Sequence, residues 1–156
     1  IPYFVDEVIP VKSARQMYEA VLEKSMGYDI LIMCAAVADY APKEVSKEKI
    51  KKVSEKLTIE LEKTPDILYS IGMSKKEHQF IVGFAAETEN IIENAFEKMM
   101  RKNADLIVAN DAQIAMESDT NHVYLVFRNK SVLEELDGTK EEVAERMLGR
   151  ICEELD

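Results

Sequence analysis

The chain has 156 residues, 47% of them apolar and 32% charged, with a formal net charge of −10 at pH 7. That length suits one domain with a single sizeable core, and the composition fits a globular protein rather than a disordered or fibrous one. The acidic balance disfavours nonspecific nucleic-acid binding, because a phosphate backbone is repelled, and the strongest apolar run, 30–38, is too short to span a bilayer.

In chain order, Val5 to Val11 is a predicted short strand. Ser13 then caps an amphipathic helix over Ala14 to Lys24, with Ala14, Met17, Tyr18, Val21 and Leu22 on one stripe. Asp29 to Val37 reads as a continuous apolar strand, the signature of a parallel sheet covered on both faces. A loop follows with lysines at 43, 47, 49, 51 and 52. Lys56 to Leu61 alternates as a strand should, and Thr64 is the expected N-cap of a helix with Pro65 at its first position. Gln79 to Ala86 is another apolar strand, and Glu89 to Asn103 a helix with Ile92, Ala95, Phe96 and Met99 inward. Asp105 to Ala109 is a strand ending in Asn110-Asp111, His122 to Arg128 an edge strand, and Lys140 to Leu155 a closing helix. Repeated strand–helix units with apolar strands predict an α/β fold: a three-layer, Rossmann-like open sheet, mostly parallel with an antiparallel edge strand. One domain is expected over 1–156, without internal repeats or a low-complexity linker.

In such sheets ligands bind at the carboxyl ends of the strands. Three strand ends here are built alike, namely AAVADY (35–40), GFAAET (83–88) and VANDA (108–112). Each joins small residues to a polar group, which lets a ligand approach exposed backbone; small residues also simply suit helix–sheet packing. Glycine-rich dinucleotide and P-loop signatures are absent, which disfavours a nicotinamide dehydrogenase and means any phosphate is held by other groups. Candidates are the lysine loop after Asp39, the free N–H groups at the helix after Pro65, and Lys98, Arg101 and Lys102 on one helix face. Taken alone, the last set also reads as cations complementing a helix C-terminus. Cys34 and Cys152 lie far apart and read as reduced cysteines, and neither His78 nor His122 has neighbours at metal-ligand spacing, so no metal site is predicted.

AAVADY, then EKIKK (48–52), KTPDIL (63–68), GFAAET, RKNADLIVAND (101–111) and the later Asn121 together resemble phosphopantothenoylcysteine synthetase, in order and over nearly the whole chain. Each motif alone is modest, and the ordered set is specific. The AAVADY…KIKK form looks like the CTP-using bacterial and archaeal branch rather than the ATP-using eukaryotic one. The resemblance implies a cytoplasmic ligase of coenzyme A biosynthesis that joins 4′-phosphopantothenate to L-cysteine through a 4′-phosphopantothenoyl-CMP intermediate. It implies Mg²⁺ on the CTP, a homodimer, and FMN only where a decarboxylase domain is fused upstream. It makes the lysine loop a flap and Lys49 its catalytic lysine. It assigns CTP contacts to Ala35, Asp39, Lys49, Pro65, Asp66, Ile67, Leu68, Phe84, Lys98 and Lys102. The assignment of Lys98 and Lys102 comes from the family match and not from their spacing.

The family pattern opens with a strand, a glycine-rich turn and an Asn-Ser-Ser-Gly-like segment that binds phosphopantothenate, and nothing like it precedes Ile1. The expectation is therefore a chain that lacks full ligase activity alone, keeps CTP binding, and has a sheet short of a strand whose stability depends on dimerisation. The alternative reading is a nucleotide-binding module without catalysis in this truncated form.

Overall fold

The computed structural model describes residues 5–46, 48–50, 56–111, 120–128 and 133–155; the predicted loop lysines at 47, 51 and 52, and Ala112, lie outside them. The elements run α1 (Ala14–Ser25), β1 (Ile30–Met33), β2 (Tyr40–Pro42), β3 (Leu61–Lys63), α2 (Ile67–Ser74), β4 (Phe80–Glu87), α3 (Ile91–Lys102), β5 (Leu106–Asp111), β6 (Thr120–Phe127), β7 (Leu133–Thr139) and α4 (Lys140–Leu155).

Five strands form one sheet in the order β1-β4-β5-β6-β7. β1, β4 and β5 are parallel, and β6 runs antiparallel to both of its neighbours, so four strands point one way and β6 alone is reversed. The strands alternate their apolar side chains between two cores, as the two-residue period dictates. Val82, Leu106, Val108, Leu125 and Leu136 pack with Val143, Met147 and Ile151 of α4. Ile81, Ala85, Ile107 and Ala109 face Ile71 of α2 and Ala95 and Met99 of α3, with Val21 and Leu22 of α1 beside them. The result is the expected three-layer α/β sheet, with the reversed strand one place inside the edge.

Several element predictions need correction. Val5 to Val11 forms no strand: Pro10 lacks a ladder donor, Glu7 pairs instead with Lys24 at 2.8 Å, and the valines lie exposed. The alternation of Lys56 to Leu61 does not bury its apolar face, since Leu57, Ile59 and Leu61 are all exposed. Only Leu61–Lys63 pairs, with Tyr40–Pro42, as an antiparallel ribbon separate from the main sheet. α2 is capped by Asp66, not Thr64, because the Asp66 Oδ1 reaches Tyr69 N at 3.0 Å. On α3, Ala95 and Met99 are buried, whereas Ile92 and Phe96 of the predicted inward stripe are exposed. His122 to Arg128 is not the edge, since β7 covers it. β7 escapes prediction because Glu134, Glu135 and Asp137 surround the fully buried Leu136. Charged side chains on an edge strand are how sheets avoid pairing with further strands.

Candidate functional site

The carboxyl ends of β1 and β4 open into a cleft of about 1190 Å³, walled by the segment after β1, the entry to α2 and one side of α3. Nine of the ten residues assigned from the family resemblance line it: Ala35, Asp39, Pro65, Asp66, Ile67, Leu68, Phe84, Lys98 and Lys102. Lys49 is exposed and does not line the cleft, and Lys43 of the same loop pairs across the ribbon with Glu60 at 3.2 Å.

Local chemistry fixes each wall. Thr64 joins the first two: its N–H donates to Asp39 O at 2.9 Å and its hydroxyl to Ala38 O at 2.5 Å. The segment carrying Asp39 is thereby pinned to the entry of α2. Leu68 reaches the sheet because Gly83 on β4 leaves room for it. A Cβ there would sit 2.6 Å from Leu68 Cδ2 and 2.8 Å from Ile107 Cδ1. α2 in turn lies against the end of α3 through Gly72, whose carbonyl accepts from Asn103 Nδ2 at 2.7 Å. Asn103 ends α3 in the left-handed conformation that asparagine tolerates, and its Oδ1 accepts from Arg128 at 2.6 Å. Asp105 accepts from Lys75 Nζ at 2.5 Å and from Ile81 N at 2.8 Å. In RKNAD, therefore, Asn103 and Asp105 build the frame while Lys102 faces the cleft.

The α3 wall supplies the positive charge. Lys98 Nζ donates to Phe84 O at 2.7 Å. Burial pushes the Lys98 ammonium below its ordinary value; Glu87 opposes that, Arg101 adds to it and Asp39 opposes it. Lys102 is likewise lowered by burial, with Asp39 acting against the shift, and its ammonium is paired with the Asp66 carboxylate. Two partly desolvated cations with Arg101 between them, beside the backbone N–H groups entering α2, make a site suited to a multiply charged anion. Phe84, Tyr40, Phe96 and Met100 offer apolar area for a planar group.

Glu87, Asn94 and Glu97 also line the cleft and had no assigned role. Asn94 Nδ2 donates to Glu87 Oε2 at 3.3 Å and to Glu89 O at 3.0 Å, tying α3 to the end of β4. Glu87 was visible as the polar end of GFAAET, but an asparagine inside a helix carries no signal of such a bond. Of the third strand-end motif, VANDA, no described residue is among those lining the cleft. Among the described residues no group of three or more His, Cys, Asp or Glu is placed to hold a metal ion, and both cysteines are free. No helix among them is long and apolar enough to cross a membrane.

Residues 2–155 match the family model described as the DNA/pantothenate metabolism flavoprotein C-terminal domain. The coenzyme A biosynthesis bifunctional protein CoaBC of Bacillus subtilis (strain 168) is 47% identical over 131 residues, covering 82% of this chain and 32% of its own length. A solved structure of the C-terminal domain of a coenzyme A biosynthesis bifunctional protein CoaBC aligns with a TM-score of 0.70 at 39% identity, over 92% of this chain and 63% of that one. A Cab2 variant in complex with phosphopantothenate-cysteine shares the fold, with a TM-score of 0.71 at 17% identity, over 91% of this chain and 51% of that one. The chain thus spans about a third of the length of the curated relative it matches.

Proposed function

The chain belongs to the DNA/pantothenate metabolism flavoprotein C-terminal domain family, and on that premise we propose that it is the phosphopantothenoylcysteine synthetase part of a coenzyme A biosynthesis protein. The proposed reaction joins 4′-phosphopantothenate to L-cysteine at the expense of CTP. One observation carries the reading: nine residues expected to touch the nucleotide, drawn from four separate stretches of sequence, meet in one cleft with Lys98 and Lys102 on its wall.

The chemistry explains the residue types. The carboxylate of phosphopantothenate attacks the α-phosphorus of CTP, and the bond to the bridging oxygen breaks, releasing pyrophosphate and leaving the acyl-cytidylate. The cysteine amine then attacks the acyl carbon, CMP leaves, and the amine gives up a proton. In the first step two anions are driven together, so cations on the phosphoryl oxygens contribute most. Lys98, Lys102 and Arg101 would hold the polyphosphate, and the backbone of 66–68 would offer it N–H donors. Mg²⁺ would enter as part of the nucleotide substrate and neutralise further charge on the triphosphate. A flap carrying Lys49 would close over the mixed anhydride and keep water from it. The same proposal includes one domain over 1–156, a homodimer, a cytoplasmic setting and a decarboxylase domain with FMN elsewhere in the full protein. The relative's description as bifunctional supports that last element.

A second reading, a nucleotide-binding module without catalysis, is favoured by one feature: Lys49 lies outside the cleft. Single-turnover assays with the full-length protein separate the two. Under the ligase reading the wild type forms acyl-CMP, and Lys49→Gln binds CTP normally but forms it ~10²–10³ more slowly. CTP binding with no acyl-CMP from the wild type supports the second reading instead. Unchanged turnover in Lys49→Gln removes Lys49 from catalysis.

A further inference from the structure

Asp66 makes two contacts through its two carboxylate oxygens. Oδ1 accepts from Tyr69 N at 3.0 Å and caps α2. Oδ2 is paired with Nζ of Lys102. The partners differ in depth: the lysine side chain is 11% exposed and the aspartate 47%. A cation that far out of water is costly unless a counter-ion stands against it, and the Asp66 carboxylate does so. The same ammonium faces the cleft beside Lys98 and Arg101, where an incoming anion would also seek it.

We propose that the Asp66 carboxylate is an internal counter-ion that occupies Lys102 in the free protein and is displaced by the phosphate groups of a bound ligand. This rests on the reading that the cleft takes a phosphorylated molecule. The exchange is feasible because Asp66 is nearly half exposed, so hydration compensates the carboxylate when it lets go, while Oδ1 keeps the helix capped. A carboxylate that remained close would repel the phosphate, so Asp66 lowers affinity for the bound anion and speeds its release. Residues 66–68 then act on the ligand in opposite senses: the backbone N–H groups attract phosphate, and the Asp66 side chain competes with it. Asp66 is in this sense a positioning residue, acting through Lys102.

The test is calorimetric titration of the wild type and Asp66→Asn with inorganic tripolyphosphate and, separately, with CTP. Asparagine keeps an N-cap acceptor but loses the charge, and Asp66→Ser, also a good cap, serves as a second variant. Tripolyphosphate is expected to bind about two- to fivefold more tightly to both variants, the range implied by removing one competing ion pair. In a Lys102→Met background Asp66→Asn is expected to gain nothing, an outcome that a purely structural effect of the substitution would not produce. Tripolyphosphate binding that is unchanged, weaker or undetectable in the variants overturns the proposal, as does a gain that persists without Lys102. If tripolyphosphate follows the expected pattern while CTP binds to none of the proteins, the counter-ion stands and the nucleotide reading falls.

Discussion

Lys98 directs its ammonium to the carbonyl of Phe84, 2.7 Å away, from a position where burial already disfavours the charge. Replacing it with methionine keeps the bulk and removes the charge. The expected loss is one charge-assisted contact to phosphate, about 1.5–3 kcal/mol, or roughly 10- to 100-fold in the CTP dissociation constant by calorimetry. The same environment sets a pH dependence. Burial holds both Lys98 and Lys102 below the ordinary value of 10.5. Between the folded value and 10.5 the unfolded chain binds more protons, so the free protein gains stability as pH rises through that window. A bound polyphosphate pulls both lysines back up. Binding in alkaline buffers is therefore expected to take up protons, measured as a dependence of the apparent enthalpy on the ionisation enthalpy of the buffer. No such dependence would mean the ligand's charge does not reach these two groups.

At the scale of elements, the cleft depends on how α2 lies against the end of α3. A Cβ on Gly72 would fall 1.8 Å from Lys102 O, so the backbones touch where that glycine sits. Gly72→Ala is expected to cost ~1–3 kcal/mol in denaturant unfolding, the usual penalty of overpacking, and to weaken CTP binding as well because Lys102 must move. Stability lost without any change in affinity would show that α2 and α3 are not coupled in this way. Elements of this kind differ in how plainly the sequence announces them. The strands and helices of the core were legible because their apolar periods were long and their burial one-sided or complete, as in Phe80–Glu87 and Lys140–Leu155. The cap of α2 was misplaced by two residues because Thr64 and Asp66 both fit an N-cap, and only the tertiary bond from Thr64 to Ala38 decides between them. The strand at Leu133–Thr139 was missed because its acidic residues hide a pairing with β6 that no local pattern records.

For the whole molecule, the acidic total and the cations on the α3 wall of the cleft are consistent with each other. Net charge −10 is spread over a surface in which Glu7, Glu60 and Glu134 hold exposed or half-exposed basic partners, while Lys98 and Lys102 face the cleft. The location of the cleft was readable from the strand ends AAVADY and GFAAET, because a parallel sheet leaves backbone groups open at its carboxyl edge. The membership of Lys98 and Lys102 was not readable from spacing, since cations near a helix C-terminus arise for other reasons. It came from the ordered set of motifs, of which AAVADY, KTPDIL, GFAAET and the start of RKNADLIVAND contribute residues to the cleft. The contacts of Glu87 and Asn94 needed the structure, because they join a strand end to the first turn of a helix seven residues on.

The proposed reaction requires this cleft to take a cytidine nucleotide, bound through its phosphates. The most direct measurement is calorimetric titration with CTP and with ATP, each with Mg²⁺, under identical conditions. The proposed function predicts saturable binding of CTP with clear preference over ATP. Equal affinity for the two, preference for ATP, or no binding of CTP by the full-length protein would contradict it.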